Sequence, residues 1–207
     1  MEYIDLTQPS TDLSIPRSGS ARKSHFQHSL ETHIESPALI WKNGKTIDAF
    51  GPEYFVRSAA LLDLRNRVSK GVIDDEDLEG AEEGAGLAVR AGEIVIIQTG
   101  WEKFYSNPKR YRVHPGLSTN AGEYLAFKGV SAVGIDTPSV DLPTELRLRV
   151  HSTLLRRKIL VIENLRNLDL IEESRFQLLA LPLNLKTASS PARVVAIQTT
   201  QSTNVGL

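Results

Sequence analysis

Residues 93–99 read Glu-Ile-Val-Ile-Ile-Gln-Thr, a β-branched apolar run too short to be a typical helix, and similar short apolar runs follow at 131–135 and 159–162. Runs of this kind, bounded by polar or turn residues, describe strands buried on both faces. The stretches around them carry helix signals. Residues 74–83 are acidic, with Asp74 or Asp75 as the cap, and 119–128 have Asn120 and Glu123 at capping-box spacing. Pro143 opens a further helix through about Lys158, ending on Arg156-Arg157-Lys158, where positive charge suits a helix C-terminus. Strands that alternate with helices require an α/β core around a largely buried mixed sheet.

The remaining segments fit that core. Residues 3–6 alternate like a short strand and run into a Ser-, Pro- and Gly-rich stretch at 10–22, an arm of about residues 1–24 with its strand. Residues 41–46 form a turn, Gly51-Pro52 starts a short helix through Val56, and 58–64 read as a buried strand. Further strands are expected at 176–181 and 192–198. One domain is expected over 1–198, with 199–207 a disordered tail.

Composition narrows function. The 24 basic and 25 acidic residues nearly cancel, so no electrostatic footprint points to nucleic acid or an anionic membrane. No cysteine is present, which removes disulfides and thiolate metal sites. The N-terminal residues have no secretory pattern and no apolar run reaches membrane-spanning length, so a cytoplasmic protein is expected.

The chemistry-bearing residues are two distant His/Glu pairs. In Thr-His-Ile-Glu-Ser-Pro (32–37), Pro37 disfavours helix for Ser36, and an extended chain puts Ser29, Glu31, His33 and Glu35 on one face, with Leu30, Thr32 and Ile34 on the other. A half-exposed strand gives the same alternation. His151 stands at the edge of an apolar helical stripe with Leu148, Leu154 and Leu155, which also suits a core histidine. Glu163 closes an apolar strand, where a buried carboxylate needs a metal, a cation or a hydrogen-bonded turn. Imidazole and carboxylate together are the donors that hold zinc or manganese where thiolate is absent. The basic residues between Arg147 and Lys158 read as a solvated helix face.

In combination these segments resemble the cyclase-like metal-dependent hydrolases, the family of bacterial kynurenine formamidase and isatin hydrolase. The resemblance spans nearly the whole chain, through Ile-Asp-Leu-Thr-Gln-Pro (4–9), the 32–37 segment, Gln98-Thr99-Gly100-Trp101, His114-Pro115-Gly116-Leu117-Ser118, residues 133–139, His151 and Ile162-Glu163-Asn164-Leu165. It implies a swivelling β/β/α domain with a mixed, barrel-like sheet and peripheral helices, in dimers or tetramers. It also implies one or two divalent ions, zinc or manganese, and hydrolysis of a C–N bond in a small aryl or cyclic amide by metal-activated water.

Against the family signature H-x-G-T-H-x-D-x-P-x-H, Thr32, His33 and Pro37 match. Glu35 stands at the Asp position, Ser29 at the first His and Leu39 at the basic His, while His151 and Glu163 match the remaining metal positions. The implied metal set is His33, Glu35, His151 and Glu163, with His28 or Glu31 as substitutes for a missing ligand and His25 or His28 for the base. Trp101 and His114 are candidates for the substrate pocket; core packing is the other reading of Trp101. A catalytically impaired member acting as a binding or structural oligomer is the alternative, because Leu39 cannot carry a proton.

Overall fold

The computed structural model describes residues 1–9, 31–67 and 71–199. The apolar runs form four parallel neighbours: β3 (Val56–Asp63), β5 (Ile94–Gln98), β7 (Ala132–Ile135) and β8 (Leu160–Glu163). Parallel strands need crossovers. The connecting helices are α1 (Asp75–Gly84) between β3 and β5, α3 (Thr119–Phe127) between β5 and β7, and α4 (Arg149–Arg156) between β7 and β8. The short elements β4 (Val72–Ile73), β6 (Gly116–Leu117) and α2 (Pro108–Tyr111) lie in the intervening loops.

Antiparallel strands complete the sheet. β9 (Arg175–Pro182) pairs with β3, β10 (Ser189–Gln198) pairs with β9, and β2 (His33–Glu35) lies between β10 and β8. The order β10-β2-β8-β7-β5-β3-β9 therefore returns to β10, and the sheet closes into a seven-stranded mixed barrel. β1 (Glu2–Asp5) pairs with the far half of β10.

Strand alternation divides the apolar residues in two. Ile94, Ile96, Leu160, Ile162 and Ile34 belong to a cluster that fills the barrel. Val95, Ile97, Val133 and Val161 belong to a second, which packs against Leu78, Leu125 and Leu154 of the helices. Gly134 faces the first: a Cβ there would come within 2.6 Å of Ile96 Cδ1 and 2.9 Å of Leu165 Cδ1. The barrel is narrow enough to require a missing side chain.

Several local expectations need correction. The helix expected from Pro143 begins only at Arg149, after Leu148 adopts φ 48°, because Asp141 takes the N–H groups of Val150 and His151 and starts the helix there. α3 is capped by Ser118, which accepts from Ala121 N–H, and not by Asn120. The turn after Gly51 is a single 3₁₀ turn, Pro52–Tyr54, and β3 starts at Val56. Asp74 caps α1, in a reciprocal box with Asp77.

Glu82 illustrates how a charge is kept in the second cluster. It is 6% exposed and accepts hydrogen bonds from Tyr124 Oη (2.6 Å), Val89 N–H (2.8 Å) and Lys128 Nζ (3.1 Å). Burial alone would raise its pKa, but these donors outweigh it and hold the carboxyl below its ordinary value. A depressed folded pKa stabilises the fold above the unfolded carboxyl range, and that stability is lost as pH falls through the folded value. Glu82→Ala is expected to cost about 1–3 kcal/mol at pH 7 and less at pH 3, measured by urea unfolding.

Candidate metal centre

β2 is only three residues long, yet all three are buried. Its register sets His33 opposite Glu163 and Ile34 opposite Ile162. Ile34 and Ile162 point into the barrel, so His33, Glu35 and Glu163 point the other way, towards the helical layer. From that layer α4 brings His151, on the buried stripe with Val150, Leu154 and Leu155.

The four side chains meet. His33 Nε2 lies 3.3 Å from Glu35 Oε1 and 3.4 Å from Glu163 Oε2; His151 Nε2 lies 2.8 Å from Glu35 Oε2 and 3.1 Å from Glu163 Oε1. Exposure of the four is between 2% and 7%, so water does not screen them. Ligand atoms of His33, Glu35 and Glu163 all fall within 4.8 Å of one another.

Each imidazole is oriented from behind. His33 Nδ1 is 2.8 Å from the Glu31 carbonyl, and His151 Nδ1 is 2.5 Å from Asp141 Oδ2. The carbonyl can only accept, so His33 carries a proton on Nδ1; the Asp141 carboxylate does the same for His151. Both Nε2 atoms therefore face the cluster, the arrangement that backing groups impose on metal-binding histidines. Val140 N–H donates to Glu163 Oε1 at 2.8 Å. Asn164, at φ 59°, turns the chain out of β8 and donates from Nδ2 to the Glu31 carbonyl.

The electrostatics follow. Burial would lower the pKa of His33, but Glu163 and Glu35 outweigh it and push it up to about 10. His151 is raised for the same reason, by Asp141, Glu163 and Glu35. Burial would raise Glu35, yet His151 and His33 hold it well below the usual carboxylate range.

A divalent ion suits this donor set. Nitrogen and carboxylate oxygen are the donors such ions take: one ligand atom each from His33, Glu35 and Glu163 falls within a 4.8 Å cluster, and His151 Nε2 lies beside both carboxylates. Glu35 Oε2 lies 2.8 Å from His151 Nε2, so in the metal-free protein the protonated imidazole partners it.

The other sequence candidates lie elsewhere. His28 and Ser29, like His25, are outside the described residues. Glu31 offers its carbonyl to His33, and its carboxylate is not among the converging ligand atoms. Leu39 ends the 3₁₀ turn Pro37–Leu39 with its apolar side chain 37% exposed. Trp101 donates from Nε1 to the Tyr111 carbonyl and lines a surface cleft of about 380 Å³ with Arg65, Phe104 and Arg110. His114 is buried and feels the charge of Glu163; its neighbour Pro115 reaches that cleft. Asp141 escaped sequence reasoning: it stands in a loop without periodicity, and only its proximity to His151 reveals it.

A closed mixed barrel with a buried imidazole–carboxylate cluster beneath its helices defines the class: an α/β protein built around a candidate metal centre. The chain belongs to the cyclase family, described as "Putative cyclase", whose model matches residues 4–142. It is 27% identical to a kynurenine formamidase of Bacillus cereus, over 94% of this chain and 96% of that protein. Among solved structures it is similar to isatin hydrolase A from Ralstonia solanacearum (TM-score 0.76, 23% identity, 94% of this chain and 91% of that one). It is also similar to a potential metal-dependent hydrolase with cyclase activity (TM-score 0.73, 24% identity, 94% and 96%). No helix among the described residues is long and apolar enough to cross a membrane.

Proposed function

We propose that this chain is a divalent-metal-dependent hydrolase that cleaves the C–N bond of a small aryl or cyclic amide, with His33, Glu35, His151 and Glu163 holding zinc or manganese. The observation that carries the reading is the convergence of two Nε2 atoms on two buried carboxylates. Similarity to kynurenine formamidase and isatin hydrolase over nearly the full chain supports the bond type. When bound, the ion supplies an acidified water and polarises the scissile carbonyl. The protein's own part is to fix both imidazoles by their Nδ1 atoms, keep the carboxylates out of bulk water, and anchor Glu163 on Val140 N–H.

The competing reading is a binding or structural oligomer in which ion pairs stand in place of a metal. The close His151–Glu35 and His151–Glu163 contacts favour it, as does an aliphatic side chain at position 39. Protein purified without chelator is to be analysed for metal, then assayed on N-formylkynurenine and isatin with added manganese or zinc. The hydrolase reading expects about one or two ions per chain and turnover of at least one substrate. No divalent ion at micromolar free metal would sink it. His151→Ala is expected to lose the metal, whereas the oligomer reading expects a change in stability alone.

A further inference from the structure

Amide hydrolysis by an attacking water needs a group that takes a proton from the water and returns one to the leaving nitrogen. Asp141 does not suit the task, because its carboxylate already receives N–H donors from Val150, His151 and the His151 ring. Nor does Asp136, fully buried and occupied by Thr99 and the Trp101 N–H. Burial drives the Tyr111 hydroxyl far above its usual value, and it donates to Asn164.

His114 differs from all three. Its Nδ1 lies 2.9 Å from the Pro115 carbonyl, which can only accept, so the proton sits on Nδ1 and Nε2 keeps its lone pair. No partner for Nε2 occurs among the described residues. The ring is 7% exposed, and burial holds its pKa below the ordinary histidine value, against the Pro115 bond and the pull of Glu163. At neutral pH it is an uncharged acceptor.

Its position follows from the backbone. Two residues on, the Gly116 Cα sits against the Asp141 carbonyl, so closely that a Cβ would be 2.6 Å away. Leu117 N–H donates to Val140 O, and Val140 N–H in turn donates to Glu163. The segment carrying His114 is thus packed on the stretch that holds both Glu163 and His151.

Building on the metal-hydrolase reading above, we infer that His114 is the proton acceptor of the hydrolysis. As the water oxygen bonds to the carbonyl carbon, its O–H bond breaks and the proton moves to Nε2. When the C–N bond breaks, the leaving nitrogen takes that proton, and His114 returns to its neutral form.

Wild type, His114→Asn and His114→Ala are to be loaded with manganese or zinc, analysed for metal, and assayed on N-formylkynurenine and isatin. Asparagine keeps an N–H donor at the Nδ1 position for the Pro115 carbonyl and removes Nε2, so its unfolding midpoint is expected to stay near that of wild type. The inference expects unchanged metal content, a fall in kcat of about 10²- to 10⁴-fold, and partial recovery of His114→Ala with 4-methylimidazole. Full metal with kcat within about threefold of wild type overturns the role of His114 and leaves the hydrolase reading intact. A wild type without metal overturns both. Nitrogen NMR of the ring gives a check free of turnover: a proton on Nε2 at neutral pH contradicts the inference.

Discussion

Glu163→Gln is expected to lower divalent-metal affinity by more than about 100-fold, beyond the 10- to 100-fold typical of groups that only back a ligand. Glu163 meets both imidazoles, His33 at 3.4 Å and His151 at 3.1 Å, and is anchored by Val140 N–H at 2.8 Å. Glutamine preserves the shape and the Val140 acceptor but removes the charge, so a loss of metal reports ligation and not collapse. The same titration reads protons. His33, pushed up to about 10, and His151, also raised, are protonated in the metal-free protein at neutral pH. Their stabilising charge is complete below the unfolded histidine pKa of about 6.5 and fades as pH rises through the folded values. A metal must displace those protons from Nε2. Wild type is therefore expected to release protons on uptake and to bind more tightly as pH rises from 6 to 8, measured by calorimetry in buffers of differing ionisation enthalpy. Uptake without proton release would contradict the assignment of the two imidazoles.

Gly116→Ala is expected to destabilise the protein by about 3 kcal/mol, the upper end of typical overpacking, and to weaken metal binding about 10-fold. The added Cβ would sit 2.6 Å from the carbonyl carbon and oxygen of Asp141 and 2.7 Å from Leu142 N, all main-chain atoms that cannot rotate aside. Any relief moves Asp141, whose carboxylate orients His151. Gly84→Ala is the control: its Cβ meets nothing within 4 Å at the end of α1, so unfolding and metal titrations should show no loss. Equal behaviour of the two variants would mean that the 116–141 contact carries no strain to the site.

The parallel half of the barrel was legible because its strands are written as short apolar runs, such as Ile94 to Ile97, whose burial on both faces needs no partner to be recognised. The α1 cap was legible for a similarly local reason. The closing of the barrel is written in no local pattern, since pairing of β10 with β9, β2 and β1 depends on chain segments far apart in sequence; the barrel-like sheet was legible only through the family resemblance, which the structure bears out. The start of α4 is not legible from Pro143, a local signal, because Asp141 sets the first turn through side-chain acceptance. His33, Glu35, His151 and Glu163 stood out as residue types in motifs. Asp141 and the Nε2 of His114, which has no partner among the described residues, became visible only through geometry, because an aspartate or histidine in a loop carries no pattern that separates a supporting role from a solvated one.

The three-residue strand that carries His33 and Glu35 has a bearing on how the molecule is made. Its neighbours, β8 and β10, come from the last third of the chain. During synthesis His33 and Glu35 emerge early and have no sheet to join until those strands leave the ribosome. Such long-range pairing slows folding, and it postpones assembly of the pocket to the final stage. A truncation that removes β10 is therefore expected to leave His33 and Glu35 without a neighbouring strand on one side.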